Sequence, residues 1–304
     1  MVTGESAEIE SNTMLKTRSV WVEDLQRAWY RMRKSPLSLV GLGIILAVIF
    51  MAIFAPWLAP YPNHAGIGVY FDRAFLPPSR QWWFGTDEVG RDILSRVIFG
   101  SRISLLLGIF VLSIALVIGV PLGLIAGYYG GRLNTIIMRT ADIFLAVPAL
   151  VLALAVTSAL TPSLTSAMFA ISFAWWPWFT RLVQGETLSV KEEQFVEASR
   201  SLGTSPLRIA FREVLPNCIS PIIVKATLDM GFVILVGASL SFLGLGAQPP
   251  TPAWGTMIAE GRIRLTTAPW MCTFPGIAIL ITVMGFNLLG DGLRDVLDVE
   301  LSGV

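Results

Sequence analysis

From Leu37 to Leu58 the chain carries no Lys, Arg, Asp or Glu, and predominantly apolar runs recur at about residues 103–128, 137–160, 164–183, 221–245 and 272–289. About 20 apolar residues in a helix span the hydrocarbon of a bilayer. In that medium every backbone N–H and C=O must find its partner within the segment, which leaves the helix as the form such runs can take. The expected fold is therefore an all-α integral membrane protein with six transmembrane helices. Composition agrees: 54% of the 304 residues are hydrophobic and 14% charged, with a mean hydropathy of +0.68, where soluble domains carry about a quarter charged residues. The net charge of +1, with Lys and Arg scattered among loops, gives no footprint for nucleic acid. The first residues, MVTGESAEIE, are polar and acidic without an apolar core, so no cleavable signal is expected there.

In chain order, residues 1 to about 18 read as disordered, and Val20 to Lys34 as an amphipathic helix lying on the membrane before the first span. Ser35-Pro36 has the form of a helix start, an N-cap residue followed by Pro at the first position. A long extramembrane stretch follows, from about Ala59 to Ser101. Near its end Ile93, Leu94, Val97 and Ile98 oppose Arg91, Asp92 and Arg96, as in a surface amphipathic helix. Asp87 and Glu88 read as first-turn acids favoured by the helix dipole, or as a cation site. The second span carries Gly119, Gly123 and Gly127 at four-residue spacing, which lets a neighbouring helix approach closely in lipid. Pro121 among them is expected to kink it.

Trp175-Trp176-Pro177-Trp178 falls near the middle of the fourth span, where an aromatic interface belt is not expected. The fifth span holds Lys225 and Asp229 one turn apart, either a structural ion pair or a functional one. Beyond it, Trp254 to Glu260 reads as a short amphipathic or re-entrant piece. Cys218 and Cys272 read as packing residues, and with His64 the single histidine, a metal centre is not expected. With six spans both termini share a side, and Lys and Arg favour that side by about twofold, which makes it cytoplasmic.

No G-x-x-x-x-G-K-[ST] phosphate loop, G-x-S-x-G elbow, H-E-x-x-H or C-x-x-C occurs. Leu301-Ser302-Gly303 is a chance tail without a phosphate loop to complete it. The chain therefore offers no catalytic constellation and no nucleotide site, and it conducts passively or is driven by another protein. A channel would show a pore-lining polar stripe or a filter, and no segment does.

The charged island Lys191 to Asn217 points to an external drive. Its first half, with Phe195, Ala198, Ser199 and Leu202 on one face, reads as a helix closed by a left-handed cap at Gly203. Ser205-Pro206 opens a second helix, with Leu207, Ala210, Phe211 and Val214 as its apolar face, before Leu215-Pro216. Two short helices around a Gly turn make a knob that fits a groove on a partner, or else pack on their own bundle.

At these residues the chain resembles the permease subunits of ABC importers. Their cytoplasmic signature is Glu-Ala-Ala, three residues, Gly, nine residues, Ile, one residue, Leu-Pro. Glu197, Ala198, Gly203, Leu215 and Pro216 match it at that spacing, with Ser199 in place of the second Ala and Glu213 in place of Ile. Longer strings, from Gly85 to Gly108, Ile136 to Leu150, Leu240 to Ile258 and Phe286 to Asp298, look like the second permease of dipeptide, oligopeptide, nickel and glutathione importers.

The resemblance implies a MetI-like, type I importer fold with cytoplasmic termini in a bacterial or archaeal cytoplasmic (inner) membrane. It implies a heterodimer with a homologous permease, two ATP-binding subunits that carry the ATP and Mg, and an extracytoplasmic solute-binding protein, with no cofactor on this chain. It divides the chain into a tail and juxtamembrane helix (1–35), a first span with its long periplasmic loop (36–100), and a five-helix core (101–304) holding the coupling loop 191–217. Glu197, Ala198, Ser199, Gly203, Leu207, Phe211, Leu215 and Pro216 would then meet the ATPase. The cargo would be a dipeptide or oligopeptide, or alternatively nickel, glutathione or another small solute.

Overall fold

The computed structural model describes residues 35–301, with side chains to Leu297. The amphipathic segment expected over Val20–Lys34 lies outside them. Helix α1 (Pro36–Ile53) begins at Ser35-Pro36, with Ser35 extended at φ −98°, ψ 102°. The first span was expected to reach Leu58, but it breaks at Phe54 and resumes as one turn, α2 (Ala55–Leu58). Pro56 has no N–H to give the Ala52 carbonyl. Arg102 from the next span donates there instead, through Nε to Ala52 O and through Nη2 to Ile53 O at 2.8 Å.

The second span, α3 (Ile93–Tyr129), starts ten residues before the expected Ile103. Asp92 caps it, its Oδ2 accepting from the Ser95 N–H at 2.8 Å and the Ser95 hydroxyl at 2.6 Å. It continues through Pro121 as one helix.

The third span is broken instead. α4 (Gly131–Leu145) and α5 (Ala149–Ser158) meet at 82° across Ala146–Pro148. Pro148 drives the residue before it out of the helical region, which ends α4. Helix α6 (Leu164–Val190) starts at Ser163, whose hydroxyl accepts from Ser166 N–H at 3.0 Å. After the 191–217 loop come α10 (Ile219–Phe242), the short α11 (Trp254–Gly261) and α12 (Trp270–Leu301). Among the described residues there is no β-strand, only one isolated bridge between Thr86 and Asp92.

Helices α1, α3, α10 and α12 are each long and apolar enough to cross a membrane, and the bent α4–α5 pair is so too if it is taken as one span. α6, at 27 residues, has the length of the expected fourth span but is less apolar than the other four. Its Trp residues, Pro177 and Arg181 hold down its mean hydropathy. The core forms where α3, α6 and α10 meet, around Val111, Ala115, Ile171, Phe179, Val233 and Leu240. Along the α3–α6 seam a Cβ on Gly119 would lie 2.7 Å from the Trp176 carbonyl. One on Gly123 would lie 2.5 Å from the Thr180 carbonyl, and one on Gly127 2.6 Å from Thr187 Cβ. The glycines at four-residue spacing thus lie where α3 and α6 approach most closely.

The stretch from 59 to 92 is folded, and Asp87 is not a first-turn acid. It is buried before the helix begins. Its Oδ2 accepts from Arg91 Nε and from Arg96 Nη1, both at 2.7 Å. Arg96 Nη2 reaches Glu260 on α11 at 3.2 Å. Two guanidiniums already neutralise Asp87, which removes the cation-site alternative, and among the described residues no cluster could hold a metal ion. Glu88 is exposed. Nor is the segment a surface helix, since Arg96 is fully buried.

Removing one partner from a buried ion network costs about 3–5 kcal/mol, because the remaining charge is stranded. Glu260→Ala is expected to lower the thermal unfolding midpoint in detergent sharply, whereas Glu88→Ala should leave it unchanged. Equal midpoints for the two would show that the network does not stabilise the fold.

His64 is buried against Tyr61, Tyr70 and Trp82, and its Nδ1 accepts from the Asp92 N–H at 2.9 Å. Burial pushes its pKa below the ordinary 6.5. The fold favours the neutral ring, so this stability is present above 6.5 and lost as pH falls below it. Burial raises the Asp92 carboxyl above its ordinary 3.8, which acts in the opposite sense but nearer the carboxylate range. Lowering pH from about 7.5 to about 5.5 is expected to speed proteolysis within 59–92, and His64→Gln should abolish that acceleration.

Candidate functional site

The 191–217 loop is anchored before it turns outward. Lys191 Nζ donates to the Gly127 carbonyl at 3.1 Å, tying the end of α6 to the end of α3. Helix α7 (Gln194–Ser201) follows and closes as predicted. Gly203 sits at φ +77°, its N–H bonds Arg200 O at 3.0 Å, and the Thr204 N–H bonds Ser199 O at 3.2 Å. These are the paired bonds of a Schellman cap, which needs a left-handed residue at that position. Ser205 is extended, and Pro206 opens α8 (Pro206–Ile209).

The chain next makes a π-helical turn, Ala210–Val214, in which the Leu215 N–H reaches back to Ala210 O. A last helical turn follows, α9 (Leu215–Asn217). Pro216 in that turn has no N–H and would press its ring on the preceding turn of a regular helix. The wider turn relieves this, and Asn217 Nδ2 caps the Glu213 carbonyl at 2.6 Å.

The π-turn redistributes the faces. The expected apolar face Leu207–Ala210–Phe211–Val214 is split: Ala210 and Val214 point inward with Ile209, while Leu207 and Phe211 point out. In α7, Val196 is the buried residue. Phe195, Ala198 and Leu202 are exposed, and Ser199 is half-buried. Val196, Ile209, Val214 and Cys218 pack with Leu124 and Val183 under the loop. Glu197, Gly203 and Pro216 are exposed and Leu215 is half-buried. The knob therefore has both an inward apolar base and an outward apolar crest. Sequence periodicity assigned one face per helix and missed Val196 and Ile209.

Lys225 and Asp229 pair on α10, Nζ lying 2.7 Å from Oδ1 and 2.9 Å from Oδ2. The Trp175 indole donates to Asp229 Oδ2 at 2.9 Å, so this Trp is a buried donor and not part of an interface belt. A second pair joins the broken span to α6, with Arg181 Nη2 2.6 Å from Asp142 Oδ1. It links segments 39 residues apart, and no local spacing announces it.

A family model described as "Binding-protein-dependent transport system inner membrane component" matches residues 119–302, more than half of the chain. The chain belongs to this family. A second model, the "N-terminal TM domain of oligopeptide transport permease C", matches residues 25–78 of the permease. Similar curated proteins include the "Probable D,D-dipeptide transport system permease protein DdpC" of Escherichia coli K12, 45% identical over 90% of this chain and 91% of that one. The "Dipeptide transport system permease protein DppC" of Alkalihalophilus pseudofirmus is 45% identical over 92% and 91%. The "Glutathione transport system permease protein GsiD" of E. coli O6:K15:H31 is 44% identical over 95% and 93%.

Among solved structures, an inward-facing MetNI methionine ABC transporter chain superposes with a TM-score of 0.55 at 18% identity. The match covers 67% of this permease and 97% of that chain, and it shows the MetI-like membrane fold. The permease is thus a multi-pass inner-membrane component of an ABC importer.

Proposed function

We propose that this permease carries dipeptides or short oligopeptides inward, driven by ATP hydrolysis on two partner subunits and fed by an extracytoplasmic solute-binding protein. A homologous second permease completes the membrane body. The observation that carries the coupling role is the outward crest of the 191–217 knob. Phe195, Leu202, Leu207 and Phe211 are all exposed around the Gly203 cap, on a base fixed to α3 and α6. Exposed large apolar groups clustered on an anchored element mark a partner surface. A groove on each ATP-binding subunit would receive such a knob, and closure of that pair would push it against α3 and α6. ATP and Mg belong to those subunits.

Peptide cargo is supported by relatives at about 45% identity named for D,D-dipeptide, dipeptide and glutathione transport. The Lys225–Asp229 pair is proposed as structural, since Asp229 is buried and held by Trp175 as well. Lys225→Ala and Asp229→Ala are expected to lower folded yield without changing which peptides are taken up. A changed substrate range at normal yield would contradict that role. The function is tested by reconstituting the permease with its partner subunits and binding protein and measuring ATP-driven uptake of labelled dipeptides, longer peptides, glutathione and nickel chelates. Peptide uptake that needs ATP is expected, and uptake of nickel chelates alone would overturn the cargo.

A further inference from the structure

The two ion pairs of the spans lie on one continuous face. Arg181 on α6 reaches Asp142 on α4. Trp178, one turn before Arg181, stacks over Lys225 Nζ at 5.4 Å, and Lys225 pairs with Asp229. The face is open: Arg181 keeps 56% of its side chain exposed and Asp142 37%, with Lys225 at 30% and Trp178 at 45%. At 1.5 Å per residue, Arg181 lies about 13 Å inside the end of α6 and Lys225 about 9 Å inside the start of α10. Ionisable groups on helices that cross a membrane face protein or water rather than hydrocarbon.

The break in the third span adds a second, independent sign. Ala146, Val147 and Pro148, the non-helical residues between α4 and α5, are all exposed and begin four residues after Asp142. Irregular backbone at membrane depth is tolerated where it lines a cavity or is covered by protein, not against lipid. By contrast, the exposed residues of α1, among them Leu46, Ile49, Phe50 and Ile53, are all apolar and suit hydrocarbon.

We propose that Asp142, Trp178, Arg181 and Lys225, with the break at Ala146–Pro148, line the water-filled route of the solute. Arg181 exchanges Asp142 for the terminal carboxylate of a peptide in passage. Asp142, released, faces the peptide's ammonium group. Arg181 contacts Asp142 through Nη2 alone, and a guanidinium presents a planar fork of donors that fits a carboxylate. This assignment rests on the peptide cargo proposed above.

The test uses the assembled, reconstituted transporter carrying Arg181→Cys, Trp178→Cys or Phe50→Cys, with unmodified protein as the baseline for the native Cys218 and Cys272. Sulfonatoethyl methanethiosulfonate, which does not enter lipid, is compared with N-ethylmaleimide, which does. The charged reagent is expected to modify Arg181→Cys and Trp178→Cys at least about tenfold faster than Phe50→Cys. Alanyl-alanine delivered by the binding protein with ATP should slow modification of Trp178→Cys severalfold. In unlabelled transporters, Arg181→Gln should slow uptake of alanyl-alanine by about tenfold, and Arg181→Lys should restore part of it.

A charged-reagent rate equal to that of Phe50→Cys would place the face in lipid. Failure of both reagents would place it in the seam with the second permease. Either result overturns the proposal. Rapid labelling that alanyl-alanine does not slow, in a transporter that does import it, overturns the carboxylate assignment. A transporter that imports no peptide overturns the cargo reading instead, and leaves the labelling rates to decide the route.

Discussion

Replacing Gly203 by proline is expected to leave the permease folded in the membrane while uptake in the reconstituted transporter falls by at least about tenfold. Gly203 holds φ at +77°, which proline, fixed near −65°, does not adopt. Proline also removes the N–H that bonds Arg200 O. Both changes break the cap that sets α7 against α8, and so move Phe195 and Leu202 relative to Leu207 and Phe211. The spans do not depend on that cap. The base of the loop is held by Val196, Ile209 and Val214, and beyond its chain neighbours nothing lies within 4 Å of where a Gly203 Cβ would stand.

Gly203→Ala separates geometry from space. It meets no neighbour and adds only the left-handed strain of about 1–2 kcal/mol, so most uptake should remain. Glu197→Lys, which reverses an exposed charge beside the crest, should also uncouple hydrolysis from uptake at normal folded yield. Normal transport by both Gly203→Pro and Glu197→Lys would mean that the loop does not transmit the drive.

Gly123→Leu is expected to have the larger effect on the protein itself, with folded yield falling to near background on detergent size-exclusion chromatography. A Cβ at 123 would stand 2.5 Å from the Thr180 carbonyl and 2.8 Å from Val183 Cβ. The first is backbone of α6 and cannot swing aside. Overpacking of this kind costs about 1–3 kcal/mol even where side chains give way, and here the whole α3–α6 seam must part. Because that seam also carries the base of the 191–217 loop, residual folded protein should transport poorly. Gly43→Ala is the control, since nothing lies within 4 Å of that position and its yield should match the unmodified chain. Full yield from Gly123→Leu would show that α3 and α6 are not held by this close approach.

The sequence made the spans legible because lipid allows few solutions, and it made the knob's turn legible because Gly203, Ser205 and Pro206 each have one local use. It did not reveal where helices stop when the cause is non-local. α3 starts early because Asp92 finds the Ser95 N–H, in a segment whose charges suggested a water-facing surface. Those charges are buried because Asp87, Arg91, Arg96 and Glu260 neutralise one another across 164 residues of separation. No periodicity reports that. The break at Ala146–Pro148 was legible in principle from Pro148, but the apolar run on both sides masked it.

Pro216 likewise hid a π-turn, and with it the inward turn of Ile209. Arg181 and Asp142 stand 39 residues apart on separate helices, with no local spacing to pair them. The polar stripe absent from any one span is assembled from three.

The most direct test of the coupling role is photo-crosslinking from the knob. With p-benzoylphenylalanine in place of Phe211, whose side chain stands exposed on the crest, irradiation of the assembled transporter should yield an adduct with the ATP-binding subunit, in amounts that change when ATP is added. The same label in place of Phe50, exposed on α1, should give none. An adduct confined to lipid or to the second permease, or no adduct at all in a complex shown to hydrolyse ATP, would contradict the assignment of 191–217 as the site where the drive enters.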